Sequence, residues 1–381
     1  MKVLSLFSGI GAFEKAINNL EIPFELVGFS EIDKYATASY CAIHGISESM
    51  NLGDITKIDE KALPRSIDLI TYGFPCQDIS TGGKQKGLFN EDGTRTRSGL
   101  FFDALRIIEE TKPKFAIAEN VKNLTSKKFN AQFQVVLQSL ECAGYNNYWK
   151  VLNAKNFGIP QNRERVFIVS IRKDIDTGTF LFPEGFPLQT ELKDFTEDDV
   201  HGKYYIDCDI ASQQIIKTIS KAIANPNADF TPNEYKTSYA LQSRDFAKMG
   251  FTDLCGTLQA RNYKDPRCIV VKEATKKGYT EAREGDSINI EFPNSKTRRG
   301  RVGRAIAQTV TTSPQQIFVE KGLQLRKMTP KEYFRLMGFT DEDFAKAEAV
   351  NSNTQLYKQA GNSIVVPVVQ AIIKKLLKGK E

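Results

Sequence analysis

Val3-Leu4-Ser5-Leu6-Phe7-Ser8-Gly9-Ile10-Gly11-Ala12 opens the chain with a short apolar run broken by two glycines. Beyond the break, Phe13, Ala16, Ile17 and Leu20 recur at helical spacing. Residues 3–7 therefore read as a buried strand that turns tightly, through glycine, into a helix. The same alternation repeats along the first half. Apolar runs at 24–29, 67–74, 114–118 and 165–171 predict further strands, and 100–110 and 129–143 carry helical patterns. Strands alternating with helices predict an α/β fold with a mostly parallel sheet covered on both faces. Glu31, Cys76 and Glu119 stand at the carboxyl ends of three of these strands. That edge is where open α/β sheets bind ligands.

The second half reads differently. From about residue 182 to 319 both periodicities weaken, and Pro, Asn, Thr and Asp become frequent. Basic charge gathers in Lys296-Thr297-Arg298-Arg299-Gly300-Arg301-Val302-Gly303-Arg304. This predicts a separate, smaller, irregular and β-rich domain. Order returns at the tail, where Thr329 reads as an N-cap with Pro330 at the first helical position. Gly361-Asn362-Ser363 then precedes an apolar run at 364–377. The expected division is 1–182 plus 355–381 for the first domain and 183–354, with its hinge, for the second.

Composition narrows the class. The 381 residues are 26% charged and 41% hydrophobic, which excludes wholesale disorder, collagen and coiled coil. No apolar stretch approaches the roughly 18 residues of a transmembrane helix. The opening run is too short for a signal peptide, and the expectation is a cytoplasmic protein without a membrane partner. Six scattered cysteines, no Cys-x-x-Cys pair and two histidines argue against a disulfide framework and predict no metal. A net charge of +6 leans mildly towards a nucleic-acid partner.

Four motifs carry chemistry. Gly9 and Gly11 let a ligand approach the backbone, and Glu31 follows where an acidic residue can bond both ribose hydroxyls. A bare tight turn accounts for the glycines alone; with Glu31 they suggest an adenosine-bearing cofactor, dinucleotide or other. Gly73-Phe74-Pro75-Cys76-Gln77-Asp78 puts a cysteine on a stiff turn at the active edge, where a thiolate can be presented to substrate. The polar, glycine-rich stretch 78–99 suits a lid. Glu119-Asn120-Val121 offers a carboxylate to a heterocycle, or a helix N-cap pair. Gln161, Arg163 and Arg165 alternate on a predicted strand and share one face, as a base or phosphate anchor or as a solvated edge.

Taken in order, these motifs resemble the DNA cytosine-5 methyltransferase family. The resemblance rests on Phe7-x-Gly9-x-Gly11, Pro75-Cys76-Gln77, Glu119-Asn120-Val121, Gln161-x-Arg163-x-Arg165, the 326–338 stretch and Gln359-Ala360-Gly361-Asn362-Ser363. The region 183–320 carries little of it, and Ala12 stands where many members have another glycine. The resemblance implies a Rossmann-like S-adenosylmethionine-dependent methyltransferase sheet with a smaller target-recognition domain. It implies methyl transfer to carbon 5 of a cytosine flipped out of a short specific sequence in double-stranded DNA, by a monomer. Cys76 would attack carbon 6, Glu119 would engage nitrogen 3 and the amino group, and Arg165 would hold the base oxygen with Arg163 nearby. Phe7, Gly9 and Gly11 would wall the cofactor, Glu31 would hold its ribose, and Ile32 would pack on the adenine. Asp54 and Ile55 would meet the adenine edge, and Asn362 and Ser363 would complete the pocket.

Arg244, Gln259, Arg261, Arg298 and Arg299 are the candidates for contacts to bases or phosphates. Both Thr257-Leu258 and Thr309-Val310 resemble the family's threonine-containing recognition element. Two other readings stay open: a tRNA cytosine-5 methyltransferase of the same family, and a cytosine-binding module without turnover. The module would be expected to lack an intact nucleophile. A nicotinamide-dependent dehydrogenase fits the glycines but not Pro-Cys-Gln.

Overall fold

The computed structural model describes residues 1–75, 78–79, 86–90, 92–206, 269–276, 278–291, 297 and 299–378. Cys76, Arg244, Gln259, Arg261 and Arg298, with Thr257-Leu258, lie outside them. The chain divides into two compact units. One comprises Met1–Ile159, Arg163–Leu188 and Met337–Glu381; the other comprises Pro160–Asn162 and Gln189–Leu336.

The first unit is built on β1 (Lys2–Leu6), β2 (Glu25–Ser30), β3 (Leu69–Tyr72), β4 (Phe115–Val121), β5 (Tyr145–Asn153) and, after the short β6 (Gln161–Asn162) of the other unit, β7 (Glu164–Arg172). Its six-stranded sheet has the order β2-β1-β3-β4-β7-β5. The first four strands run parallel, and β7 runs antiparallel to both β4 and β5. The parallel strands are near-continuous apolar runs because both faces are covered. All of β3 is buried, as is most of β1 and β4. The order reverses at β1, and beyond the carboxyl ends at such a reversal is where open α/β sheets bind ligands.

β5 escapes a search for apolar runs because it is a polar edge strand. Its Asn147 Nδ2 donates to Leu137 O at 3.1 Å, and Ser170 Oγ donates to Asn147 Oδ1 at 2.6 Å. Antiparallel edge strands often keep one face wet, so hydrophobic content understates them.

The helices α1 (Ala12–Asn19), α2 (Lys34–His44), α3 (Phe101–Thr111) and α4 (Asn130–Cys142) alternate with the strands. α1 buries Phe13, Ala16 and Ile17 of the expected face, together with Ala12, while Leu20 falls just beyond the helix and is half-buried. One core joins Leu4, Ile70, Tyr72, Ala116 and Ala118 of the sheet to Ile107 and Ile108 of α3 and Phe133 and Val136 of α4.

The second unit holds short strands: β8 (Ile269–Lys272), β9 (Tyr279–Ala282), β10 (Ser287–Asn289), β11 (Val302–Gly303), β12 (Ala307–Gln308), β13 (Gln316–Val319) and β14 (Leu325–Lys327). They form a four-stranded sheet β11-β10-β13-β14 and the pairs β8-β9 and β12-β6. Ile269, Val271, Ile288, Ile317 and Val319 make its core. The pairing of Ala307 with Gln161 corrects the strand expected through 161–165. Gln161, Arg163 and Arg165 do not share a strand face. The chain crosses from one unit to the other between Asn162 and Arg163. Gln161 Nε2 donates to Leu336 O at 2.8 Å, and its Oε1 accepts from Val310 N at 3.1 Å.

Helix α5 (Pro330–Leu336) closes this unit. Thr329 caps it: Glu332 N donates to Thr329 Oγ1 at 3.2 Å, and Thr329 N to Glu332 Oε2 at 2.8 Å. Glu332 also holds Arg326 through two hydrogen bonds of 2.9 and 2.6 Å, with both side chains fully buried. Glu320 is a second partner of Arg326. Removing one member of such a pair strands a buried charge. Glu332→Ala is therefore expected to destabilise the protein by about 3–5 kcal/mol, read from the denaturant midpoint of the full chain. A variant within about 0.5 kcal/mol of the parent would contradict this.

The chain returns to the first unit at Met337, earlier than the expected residue 355. The reason is packing by α6 (Asp341–Glu348), which lies on α2 and whose Asp343 pairs with Lys15 of α1 at 2.7 Å. Then come α7 (Asn353–Asn362) and α8 (Val366–Lys378), the latter packed on α1. Asn353–Leu377 is long and apolar enough to cross a membrane by composition, yet it is half buried and interrupted at 363–365.

Candidate active site

The turn after β1 bends sharply. Phe7 has a φ of 54°, which bulky side chains rarely adopt, and Gly9 and Gly11 have φ of 56° and 79°. Ser8 N donates to Ser30 O at 3.1 Å, and Gly11 N to Ser8 O at 2.9 Å. The two glycines serve different ends. A Cβ on Gly9 would meet open space, whereas one on Gly11 would lie 2.1 Å from His44 Nε2. Gly11 thus gives room to α2 behind the turn, and Gly9 borders open space.

Glu31 lies directly beyond β2. Its Oε2 accepts from Gly9 N at 2.9 Å, and its Oε1 from Asp33 N at 2.8 Å. Burial pushes this carboxyl above the ordinary range, against the pull of those two bonds. Beside it, Ile32 is 77% exposed, unusually bare for a large apolar side chain. Asp54 caps the turn Ile55–Lys57, accepting from Thr56 Oγ1 at 2.8 Å and Thr56 N at 3.0 Å. Those bonds hold it below the usual carboxylate range. Ile55 is buried in the core. Arg106 of α3 braces this turn, donating to Ile58 O at 2.8 Å and Ile55 O at 2.5 Å.

A second cluster forms where β4 ends. Because β7 is antiparallel, its beginning lies beside that end, with Val121 opposite Arg165. Arg165 Nε meets Glu119 Oε1 at 3.0 Å, with side chains 18% and 12% exposed. Burial pushes the Glu119 carboxyl up; Arg165 and then Arg163 oppose it. A Cβ on Gly73 would sit 3.8 Å from Glu119 Oε2, so the segment leading into Pro75 passes beside the carboxylate.

Two asparagines bracket the cysteine-bearing stretch. Asn120 Nδ2 donates to Phe74 O at 3.0 Å, and Asn123 Nδ2 to Ile79 O at 2.5 Å. No periodicity marks these two; only their place after Glu119 hints at them. Further along, Asp78 accepts from Arg97 N at 3.2 Å, and Asn90 N donates to Thr94 O at 2.7 Å. The described part of the 78–99 stretch is thus a hydrogen-bonded turn.

Arg163 points elsewhere. It is buried, and its Nη2 donates to Gly361 O at 3.0 Å and Ser363 O at 2.7 Å. It therefore anchors the last turn of α7 and its C-cap, where Asn362 is exposed and Ser363 buried. In the second unit, Arg299 is exposed and donates to Ala274 O at 2.8 Å.

The chain is similar to known proteins over nearly its whole length. The profile of C-5 cytosine-specific DNA methylases matches residues 1–378. The chain is 33% identical to the orphan methyltransferase M.SPRI of Bacillus phage SPR, over 99% of this chain and 97% of that protein. It is 31% identical to the type II methyltransferase M2.ScrFI of Lactococcus lactis subsp. cremoris, over the whole of both. Among solved structures, the methyltransferase EhMeth of Entamoeba histolytica shares the fold with a TM-score of 0.60 and 16% identity, covering 100% of this chain and 99% of that one. A DNMT2 variant of Spodoptera frugiperda does so at 0.57 and 18%, covering 98% and 99%. Matched along nearly its full length and carrying the family's motifs in order, the chain belongs to the C-5 cytosine-specific DNA methylases.

Proposed function

We propose that the protein moves a methyl group from S-adenosylmethionine to carbon 5 of a cytosine flipped out of duplex DNA, through a covalent bond to Cys76. The observation that carries this reading is the mostly buried Glu119 carboxyl, paired with Arg165 at 3.0 Å where the segment leading into Pro75 passes; its burial favours the protonated form. A base that must accept a proton as it is attacked calls for such a group.

The crevice beside β1 and β2 fits an adenosine-bearing donor. Gly9 leaves open space, Glu31 presents a held carboxylate for ribose hydroxyls, and Ile32 offers a bare apolar surface for the adenine. On this reading Phe7, strained at the turn, would wall the cofactor, Asp54 and buried Ile55 would meet the adenine edge, and exposed Asn362 with Ser363 would complete the pocket. Bound there, S-adenosylmethionine supplies an electrophilic methyl group.

The residues of the chain do the rest. The cytosine must leave the duplex stack for its ring to be reached. The Cys76 thiolate adds to carbon 6, and the displaced ring electrons move to nitrogen 3, which takes the proton of Glu119. Arg165 donates to the base oxygen and balances the charge, while Arg163 acts from behind by anchoring Gly361 and Ser363. Carbon 5, now electron-rich, bonds to the methyl carbon as the methyl–sulfur bond breaks, its electron pair staying on the sulfur of the departing S-adenosylhomocysteine. Water takes the carbon 5 proton; the electrons of that bond restore the carbon 5–carbon 6 double bond, and the carbon–sulfur bond breaks to release the Cys76 thiolate. The proton on nitrogen 3 returns to Glu119. The second unit reads the target sequence, with Arg299 among its contacts and Arg244, Gln259, Arg261 and Arg298 as further candidates.

Bisulfite sequencing of plasmid DNA from cells expressing the chain tests the reading. Protected cytosines in one short recurring sequence are the expected result. Soluble, folded protein with no protected cytosine would overturn it, and duplex DNA and tRNA compared as methyl acceptors would then identify an RNA substrate.

A further inference from the structure

Glu31 and Asp54 lie on separate segments, and one side chain joins them. Asn51 Oδ1 accepts from Glu31 N at 3.1 Å and from Gly53 N at 2.9 Å. Its Nδ2 donates to Glu31 O at 2.9 Å and to Thr37 Oγ1 at 3.1 Å. An amide offers two donor hydrogens and two acceptor lone pairs, so its capacity is filled. By holding both the N–H and the C=O of Glu31, Asn51 extends the parallel bridge between its own backbone and Phe29. Gly53, at a φ of 71°, is gripped from its other side as Ser30 Oγ donates to its carbonyl at 2.7 Å. Ser30 is itself buried. Leu52 N adds a bond to Phe29 O at 2.7 Å.

We infer that Asn51, supported by Ser30, is a positioning residue that sets the separation between the ribose-holding carboxylate of Glu31 and the adenine edge at Asp54 and Ile55. The inference rests on the adenosine reading of this crevice given above. Asn51 bonds to backbone and to Thr37, and its contacts lie on the β1–β2 side of the sheet rather than in the Glu119 cluster. Its loss should loosen the hold on the adenosine and spare the chemistry on cytosine.

The test uses the full chain. Binding of S-adenosylhomocysteine is measured by titration calorimetry, and KM for S-adenosylmethionine and kcat by methyl transfer to DNA. Asn51→Ala is expected to weaken S-adenosylhomocysteine binding and raise KM by about tenfold, the equivalent of one or two net hydrogen bonds. kcat should stay within about twofold, the pattern of a lost binding interaction common to ground and transition states. Ser30→Ala removes one bond to the same segment and keeps the test sound should Asn51→Ala fail to fold. It should shift KM in the same direction by a smaller factor. Variants that bind like the parent, or that lose kcat at unchanged KM, would overturn the assignment alone. A parent chain that does not bind S-adenosylhomocysteine would overturn the adenosine reading and the assignment with it.

Discussion

Replacing Cys76 with alanine is expected to abolish methyl transfer while leaving S-adenosylhomocysteine binding within about twofold of the parent, as for loss of a group used only in the chemical step. Carbon 5 of cytosine does not attack a methyl group unaided. It becomes electron-rich only when a nucleophile has added at carbon 6, and a methyl side chain cannot add. The surrounding scaffold has its own supports. Asn120 holds Phe74 O and Asn123 holds Ile79 O, so both flanking segments have hydrogen bonds of their own. The crevice proposed for the cofactor lies beside β1 and β2, at Gly9, Glu31 and Ile32. Parallel bisulfite sequencing and calorimetry on Cys76→Ala check both halves. A variant that still methylates at the parent rate would end the covalent mechanism.

Glu119→Gln should cost about 10²–10⁴-fold in kcat, the range for removal of a positioned general acid. Glutamine keeps an oxygen that accepts from Arg165 but has no acidic proton for nitrogen 3. The pH dependence follows in sign. Burial raises the Glu119 pKa above its ordinary value, so the active, protonated form persists to higher pH than a free carboxyl allows. As pH rises through that raised value the carboxyl ionises and the rate falls. The parent should therefore show a basic limb governed by Glu119, absent from the residual activity of Glu119→Gln. The same shift bears on stability. A raised folded pKa contributes stability that is full below the unfolded pKa of about 4.3 and is lost as pH rises through the folded value. Glutamine does not ionise, so this loss should be missing from the variant's melting profile. An unchanged basic limb would remove Glu119 from the proton transfer.

How much of this was legible beforehand depends on the range of the interaction concerned. The strand ends bearing Glu31 and Glu119 could be read directly, because a buried parallel strand is an apolar run and each run stops at a polar residue. Thr329 and Pro330 were equally readable, since a cap depends on residues three apart. β5 was not, because an edge strand with Asn146, Asn147 and Lys150 carries too little apolar signal. The face expected to unite Gln161, Arg163 and Arg165 failed because alternation along a sequence says nothing about where a chain leaves one unit for another.

By itself, then, the sequence determined an α/β sheet, a sharp glycine turn, an acidic residue beyond the second strand, a cysteine beyond the third, and the family to which these motifs belong. Each depends on hydrophobic period, turn chemistry or spacing, all properties of neighbouring residues. Tertiary structure alone decided that β7 runs against β4 and so delivers Arg165 to Glu119. It also decided that Arg163 anchors Gly361 and Ser363, and that Asn51 joins the segments of Glu31 and Asp54. Burial of a strand is written in its own side chains. Its direction, its partner and the long-range hydrogen bonds that close the site depend on residues far along the chain, and these leave no local pattern.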